Sequence, residues 1–158
     1  MRDFAILSHS TYNATMNSKD IEALRNILKA HGLSSTDARI AVCQALWGKE
    51  PQAMSQLVSA TASSMNRASL YRTIDLFEKI GLVHRIYMGW KYKIELSDLL
   101  THHHHHLSCT NCGSITAMHE EAEIEKLIQQ IARRYGMQAQ RHQLEIQGVC
   151  KVCQQKTL

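Results

Sequence analysis

Five consecutive histidines, His102 to His106, run through Leu107 and Ser108 into the pair Cys109-Thr-Asn-Cys112, and a second pair, Cys150-Lys-Val-Cys153, follows later. A purification tag normally has six or more histidines at a terminus, whereas an internal run of five beside a cysteine pair has the composition of metal binding. Two thiolates separated by two residues can chelate one ion from a tight turn. Two such turns complete the tetrahedron that zinc prefers and leave no position open. Cys109, Cys112, Cys150 and Cys153 therefore predict a structural Zn2+ ion. The alternative, a thioredoxin-like redox pair, needs one CxxC beside a βαβ unit. Cys43 shares an apolar helical stripe with Ile40 and Leu46 and reads as a buried structural thiol. The isolated histidines His9 and His31 read as surface residues or as hydrogen-bonded ones rather than as metal ligands.

Along an extended strand, His102, His104 and His106 point one way and His103 and His105 the other, so the run can feed two different metal sites. Imidazole suits several divalent metals, and the partners on each face must select the ion. An open His/Glu site could belong to a zinc enzyme, but the chain has no HExxH, no HxE followed by PCxxC, and no glycine-rich phosphate loop. No catalytic residue and no small-molecule substrate is expected.

These ligands need a scaffold. The chain has 158 residues, 44% of them hydrophobic, enough for one ordinary domain or two small ones. It lacks an apolar run of about 18 residues, and its N-terminal stretch does not have the pattern of a secretion signal, so no membrane association and a cytoplasmic location are expected. The net charge is +4, and residues 1–96 carry the whole excess, with 12 Lys/Arg against 8 Asp/Glu.

Four helical patterns come first: one through Ile21, Leu24, Ile27 and Leu28 to Gly32; one capped by Thr36 with Ile40, Cys43, Leu46 and Trp47 inward; a short one through Met54, Leu57 and Val58; and one from Asn66 or Ser69 through Leu70, Ile74, Phe77 and Ile80 to Gly81. Two β-rich segments, Leu82–Tyr87 and Lys91–Leu96, flank a turn containing Gly89. Helices followed by a hairpin match a winged helix-turn-helix, whose last helix enters the DNA major groove. Winged helices also serve as protein-interaction modules, so a zinc-stabilised interaction module is the reading of another class.

The predicted organisation is α+β. A winged-helix DNA-binding domain over 1–96, with an N-terminal extension 1–17, is followed by a hinge at 97–101 and a small α/β unit over 102–158. That last unit should hold a strand at Ser114–Met118, a helix from about Glu120 to Tyr135 with Ile124, Leu127, Ile128, Ile131 and Tyr135 inward, and a strand near Gln143–Val149. It is small for an independent core and calls for metal, a partner chain, or both.

Across roughly residues 20–153 the chain resembles the ferric uptake regulator family of metal-responsive, dimeric DNA-binding repressors. The motifs that carry the resemblance are Thr36-Asp37-Ala38-Arg39, Ser69-Leu70-Tyr71-Arg72-Thr73-Ile74 leading to Gly81-Leu82-Val83, and HHHHHLSCTNCG with the later CKVC. The resemblance implies a homodimer on a double-stranded operator controlling metal-homeostasis genes. Arg39, Asn66, Arg67, Ser69, Tyr71 and Arg72 would lie at the DNA. It also implies a regulatory hinge site of His84, Glu95, His104 and His106, and a second site of His103, His105, Glu125 and His142. The regulatory ion would be Zn2+, Fe2+ or Mn2+, with a slight lean to zinc from His84. Three positions depart from the family pattern: Pro51 stands where a histidine is often found, Ala117 where an acidic residue is often found, and Ser34 where a basic residue is often found.

Overall fold

The computed structural model describes residues 15–88 and 90–156, apart from the side chain of His119. Most of the N-terminal extension, His9 within it, and Gly89 of the hairpin turn lie outside the described residues. The chain divides into two units. One comprises the residues through Tyr87 together with Lys91–Thr101; the other comprises Met88–Trp90 and the residues from His102 onward.

In the first unit, Asn17 starts α1 (Ser18–Ala30) through a capping box with Asp20, which satisfies the otherwise orphaned amides of the first turn. Thr36 caps α2 (Asp37–Leu46), α3 spans Met54–Ala60, and Asn66 caps α4 (Arg67–Lys79) by accepting from the Ser69 amide at 2.9 Å. After α4 the chain reverses at Gly81, whose φ of 74° would strain a side-chain-bearing residue. The core joins Leu24 and Leu28 of α1, Val42 and Cys43 of α2, Leu57 of α3, and Leu70, Ile74 and Phe77 of α4. Burial pushes the Cys43 thiol up to about 12, consistent with an inert structural role.

Strands β1 (Val83–Met88) and β2 (Lys91–Leu96) form a two-stranded sheet, and a bridge between Gln52 and Ile94 ties the segment before α3 to β2. Arg85 fixes this wing to α4 by pairing with Asp75 and with Glu78 at 3.2 Å, while its guanidinium lies 5.0 Å from the Tyr92 ring centroid. Residues 97–101 pack on this same unit. Ser97 donates its amide to the Leu82 carbonyl, and Leu100 lies against the core.

The second unit contains β3 (His104–Cys109), β4 (Ile115–His119), α5 (Ala122–Arg134), β5 (Glu145–Gly148) and α6 (Lys151–Gln155). The sheet order is β4-β3-β5, with β3 antiparallel to β4 and parallel to β5. The register sets His106 between Ala117 and Glu145. Glu123 and Glu125 open α5 and Arg133 and Arg134 close it, matching the helix dipole. The stripe expected to face inward does not find a core: α5 has no buried residue, and Leu127, Ile131 and Tyr135 are 54%, 44% and 77% exposed. The cause is that the unit supplies no further layer among the described residues to cover that stripe. The helix α6 was not foreseen; Cys150 adopts the extended cap conformation and the CxxC continues as a helical turn. Among the described residues no helix is long and apolar enough to cross a membrane.

Candidate metal centres and nucleic-acid interface

The four cysteines expected to hold zinc are brought together by the end of β3, the turn after it and the start of α6. The Sγ atoms of Cys109, Cys112, Cys150 and Cys153 all lie within 4.8 Å of one another. A tetrahedron with arms of about 2.3 Å has edges of about 3.8 Å. Cys112 and Cys150 are separated by 3.8 Å, so the thiol set fits a zinc ion. The local backbone favours ionised sulfur. The Cys150 amide donates to Cys109 Sγ at 3.3 Å and, with the Cys112 amide, holds that thiol down to about 6. Ser114, whose hydroxyl lies 3.2 Å from Cys112 Sγ, lowers Cys112 as well and is a neighbour that the spacing of the cysteines did not reveal. Cys153 is pushed up to about 12, first by its hydrogen bond with Cys150 and then by burial.

The second cluster joins β3 to α5 and to the segment before β5. His105 Nε2 lies 2.8 Å from Glu125 Oε1, His142 Nε2 lies 3.2 Å from the same oxygen, and His103 Nε2 lies 3.0 Å from His142 Nε2. The remaining His103–Glu125 separation is 3.5 Å. Arms of about 2.0–2.2 Å give tetrahedral edges of about 3.3–3.6 Å, so three imidazoles and one carboxylate converge as a metal shell would require. Partial burial pushes the Glu125 carboxyl up, but the hydrogen bond from His105 and the charges of His142 and His103 outweigh it and hold the group below its ordinary value. Nδ1 of His105 is buried and has no hydrogen-bond partner among the described residues, so packing rather than an outer acceptor orients this ring.

The opposite face of β3 carries His104 and His106, whose ring centroids are 4.9 Å apart. Nδ1 of His104 lies 2.9 Å from the His102 carbonyl oxygen, which accepts only. That nitrogen therefore donates its proton to the carbonyl. His84 is half-buried on β1, and Glu95 is buried on β2 of the first unit.

Of the residues expected at DNA, Asn66, Arg67 and Arg72 are exposed, while Arg39, Ser69 and Tyr71 are half-buried. Asn66 serves first as the α4 cap. The Arg67 guanidinium lies 5.6 Å from the Tyr71 ring centroid. Arg72 reaches Ser69 Oγ at 3.4 Å, and Arg39 folds back onto Ser34. Thr36, Arg39, Ser69, Arg72 and Thr73 line an open cleft of about 290 Å³ between the start of α2 and α4. Two guanidinium groups at a helix start form a surface suited to phosphate.

A winged helix, a four-thiolate cluster and clustered histidines on one chain define the class of metal-responsive DNA-binding transcription regulators. The chain belongs to the ferric uptake regulator family, whose family model matches residues 30–147. It is 32% identical over 129 residues to the ferric uptake regulation protein of Vibrio anguillarum, covering 78% of this chain and 85% of that one. Over 103 residues it is 31% identical to the peroxide-responsive repressor PerR of Staphylococcus saprophyticus, covering 64% and 66%. Among solved structures, the ferric uptake regulator from Pseudomonas aeruginosa with manganese superposes with a TM-score of 0.70 at 26% identity, covering 80% of this chain and 97% of that chain. Members of the family are regulators of transcription rather than enzymes.

Proposed function

We propose that the chain is a homodimeric repressor whose binding to an operator depends on a divalent metal, with a slight lean to zinc. The observation that carries this reading is the pairing of a closed thiolate shell with two separate histidine sets on opposite faces of β3. The closed shell holds zinc for structure; the histidine sets are the ones able to exchange an ion.

The regulatory ion takes His84 and Glu95 from the first unit and His104 and His106 from the second. An ion bound by both units restricts their mutual orientation, and so the spacing at which two recognition helices meet two half-sites. His103, His105, Glu125 and His142 form the second site. Three imidazoles and a carboxylate suit zinc in four-coordination, and iron or manganese when water completes a larger shell. Ala117 leaves out a carboxylate, which disfavours a peroxide sensor working through carboxylate-bound iron.

A second copy of the chain covers the apolar stripe of α5, where Leu127, Ile131 and Tyr135 are exposed in a single chain. At the DNA, Arg72 and Tyr71 of α4 read the groove and Arg39 meets phosphate.

The test is selection of bound fragments from genomic DNA of the source organism, run anaerobically with Zn2+, Fe2+ or Mn2+. Metal-loaded protein should enrich one inverted repeat, and Arg72→Ala should enrich none while remaining dimeric and metal-loaded. Enrichment unchanged by Arg72→Ala would remove α4 from the interface.

A further inference from the structure

We propose that Glu145 is a ligand of the ion held by His104 and His106, replacing the carboxylate that position 117 lacks. The inference rests on the regulatory-site reading above and deepens it.

In the β4-β3-β5 sheet, His106 pairs with Ala117 on one side and with Glu145 on the other. The parallel register is held by the His106 amide on the Leu144 carbonyl at 3.2 Å and by the Thr110 amide on the Gly148 carbonyl at 2.8 Å. Residues paired across adjacent strands project from the same face, and the strands lie about 4.8 Å apart. Ala117, His106 and Glu145 therefore form one row across the sheet, and His104, two residues before His106, shares their face. The glutamate side chain is long enough to reach an ion above the neighbouring strand, and Ala117 on the other side brings no ligand of its own.

Glu145 is exposed and makes no side-chain hydrogen bond or ion pair among the described residues, so no such contact holds its carboxylate elsewhere. Nδ1 of His104 is engaged with the His102 carbonyl, so Nε2 is the nitrogen this ring can offer to an ion. The sheet alone thus contributes two imidazoles and one carboxylate, a set that leaves coordination positions for the residues of the first unit or for water. The added oxygen extends the site toward manganese(II) and iron(II), which accept larger, oxygen-richer shells than four-coordinate zinc.

The experiment uses the full-length chain with its structural zinc retained and the second site silenced by His142→Ala, titrated anaerobically with cobalt(II) as a spectroscopic probe. In that background Glu145→Gln should weaken cobalt binding. Removing a residue that merely supports a ligand costs about 10–100-fold, so loss of a ligand should cost at least about tenfold. The ligand-field spectrum should shift toward lower coordination. Adding Ala117→Asp to Glu145→Gln should restore the affinity, because the carboxylate returns to the same face from the other side of His106. Circular dichroism should match the parent throughout. Cobalt affinity and spectrum unchanged in Glu145→Gln, while His104→Ala loses the ion, would overturn the proposal and leave the regulatory site standing. Retention of cobalt by His104→Ala would overturn both.

Discussion

Removing zinc from the four-cysteine cluster should unfold one unit and spare the other. Among the described residues from His102 onward, the buried apolar residues are Cys109, Ile115 and Cys153, and two of these belong to the four-cysteine cluster. Full burial of Ile115 contributes about 1.5–3 kcal/mol. Ordering the backbone costs about 1–2 kcal/mol for every residue, so this unit has no core able to hold it alone. A structural zinc site contributes about 10–16 kcal/mol, comparable with the stability of a whole domain at about 5–15 kcal/mol. The first unit, by contrast, encloses Leu24, Leu28, Phe77, Ile74 and Ile94 in a core of its own. Hydrogen exchange followed by mass spectrometry, at fixed protein concentration, resolves the two. After chelation, or in Cys109→Ser, protection over β3, β4 and β5 should fall by at least about a thousandfold, equivalent to about 4 kcal/mol. Protection over α2 and α4 should persist. Confirmed zinc loss with β3 and β5 still protected would refute the claim that the metal carries this unit.

Three further outcomes follow from named groups. Leu127→Asp should yield a monomer by analytical ultracentrifugation; each copy covers the exposed 54% of that side chain once, at about 0.8–1.6 kcal/mol, so the dimer dissociation constant should rise by at least about tenfold, and burying two carboxylates adds to this. His104→Ala and His84→Ala proteins should stay folded and dimeric yet lose metal-stimulated DNA binding, whereas His142→Ala should chiefly remove one equivalent of second-site metal, counted by elemental analysis. Zinc affinity should weaken as pH falls. In the metal-free chain Cys153, pushed up to about 12, keeps its proton near neutrality and must release it to zinc, while Cys109, held down to about 6, is already a thiolate. Competition against a chelator should therefore show at least about one log unit of affinity per pH unit near neutrality, steepening below about pH 6 as Cys109 also protonates.

Local chemistry made much of this molecule legible in the sequence. Thr36 marked the start of α2 through its capping side chain, the start of α4 was left between Asn66 and Ser69 and falls at the Asn66 cap, and Gly81 marked the reversal after α4 through its left-handed backbone. The alternation along the histidine run carried over into the separation of His103 and His105 from His104 and His106, although β3 itself begins only at His104. What escaped was set by distant partners. The parallel pairing of β3 with β5 depends on where the chain returns after α5, and no residue within either strand encodes that return. Glu145 was missed for the same reason, since an exposed acid in a four-residue strand becomes notable only beside His106. The α5 stripe was visible as apolar, but no described element of its own unit covers it, and what lies against a stripe is not part of the local pattern.

Metal-dependent DNA binding can be measured most directly by fluorescence anisotropy of the selected duplex, under anaerobic conditions, with protein that keeps its structural zinc but has its histidine sites emptied. Addition of one to two equivalents of the activating metal for each chain should tighten binding by at least about tenfold, corresponding to about 1.4 kcal/mol of coupling. Equal affinity with and without Zn2+, Fe2+ and Mn2+ would contradict the regulatory role assigned to the histidine sites.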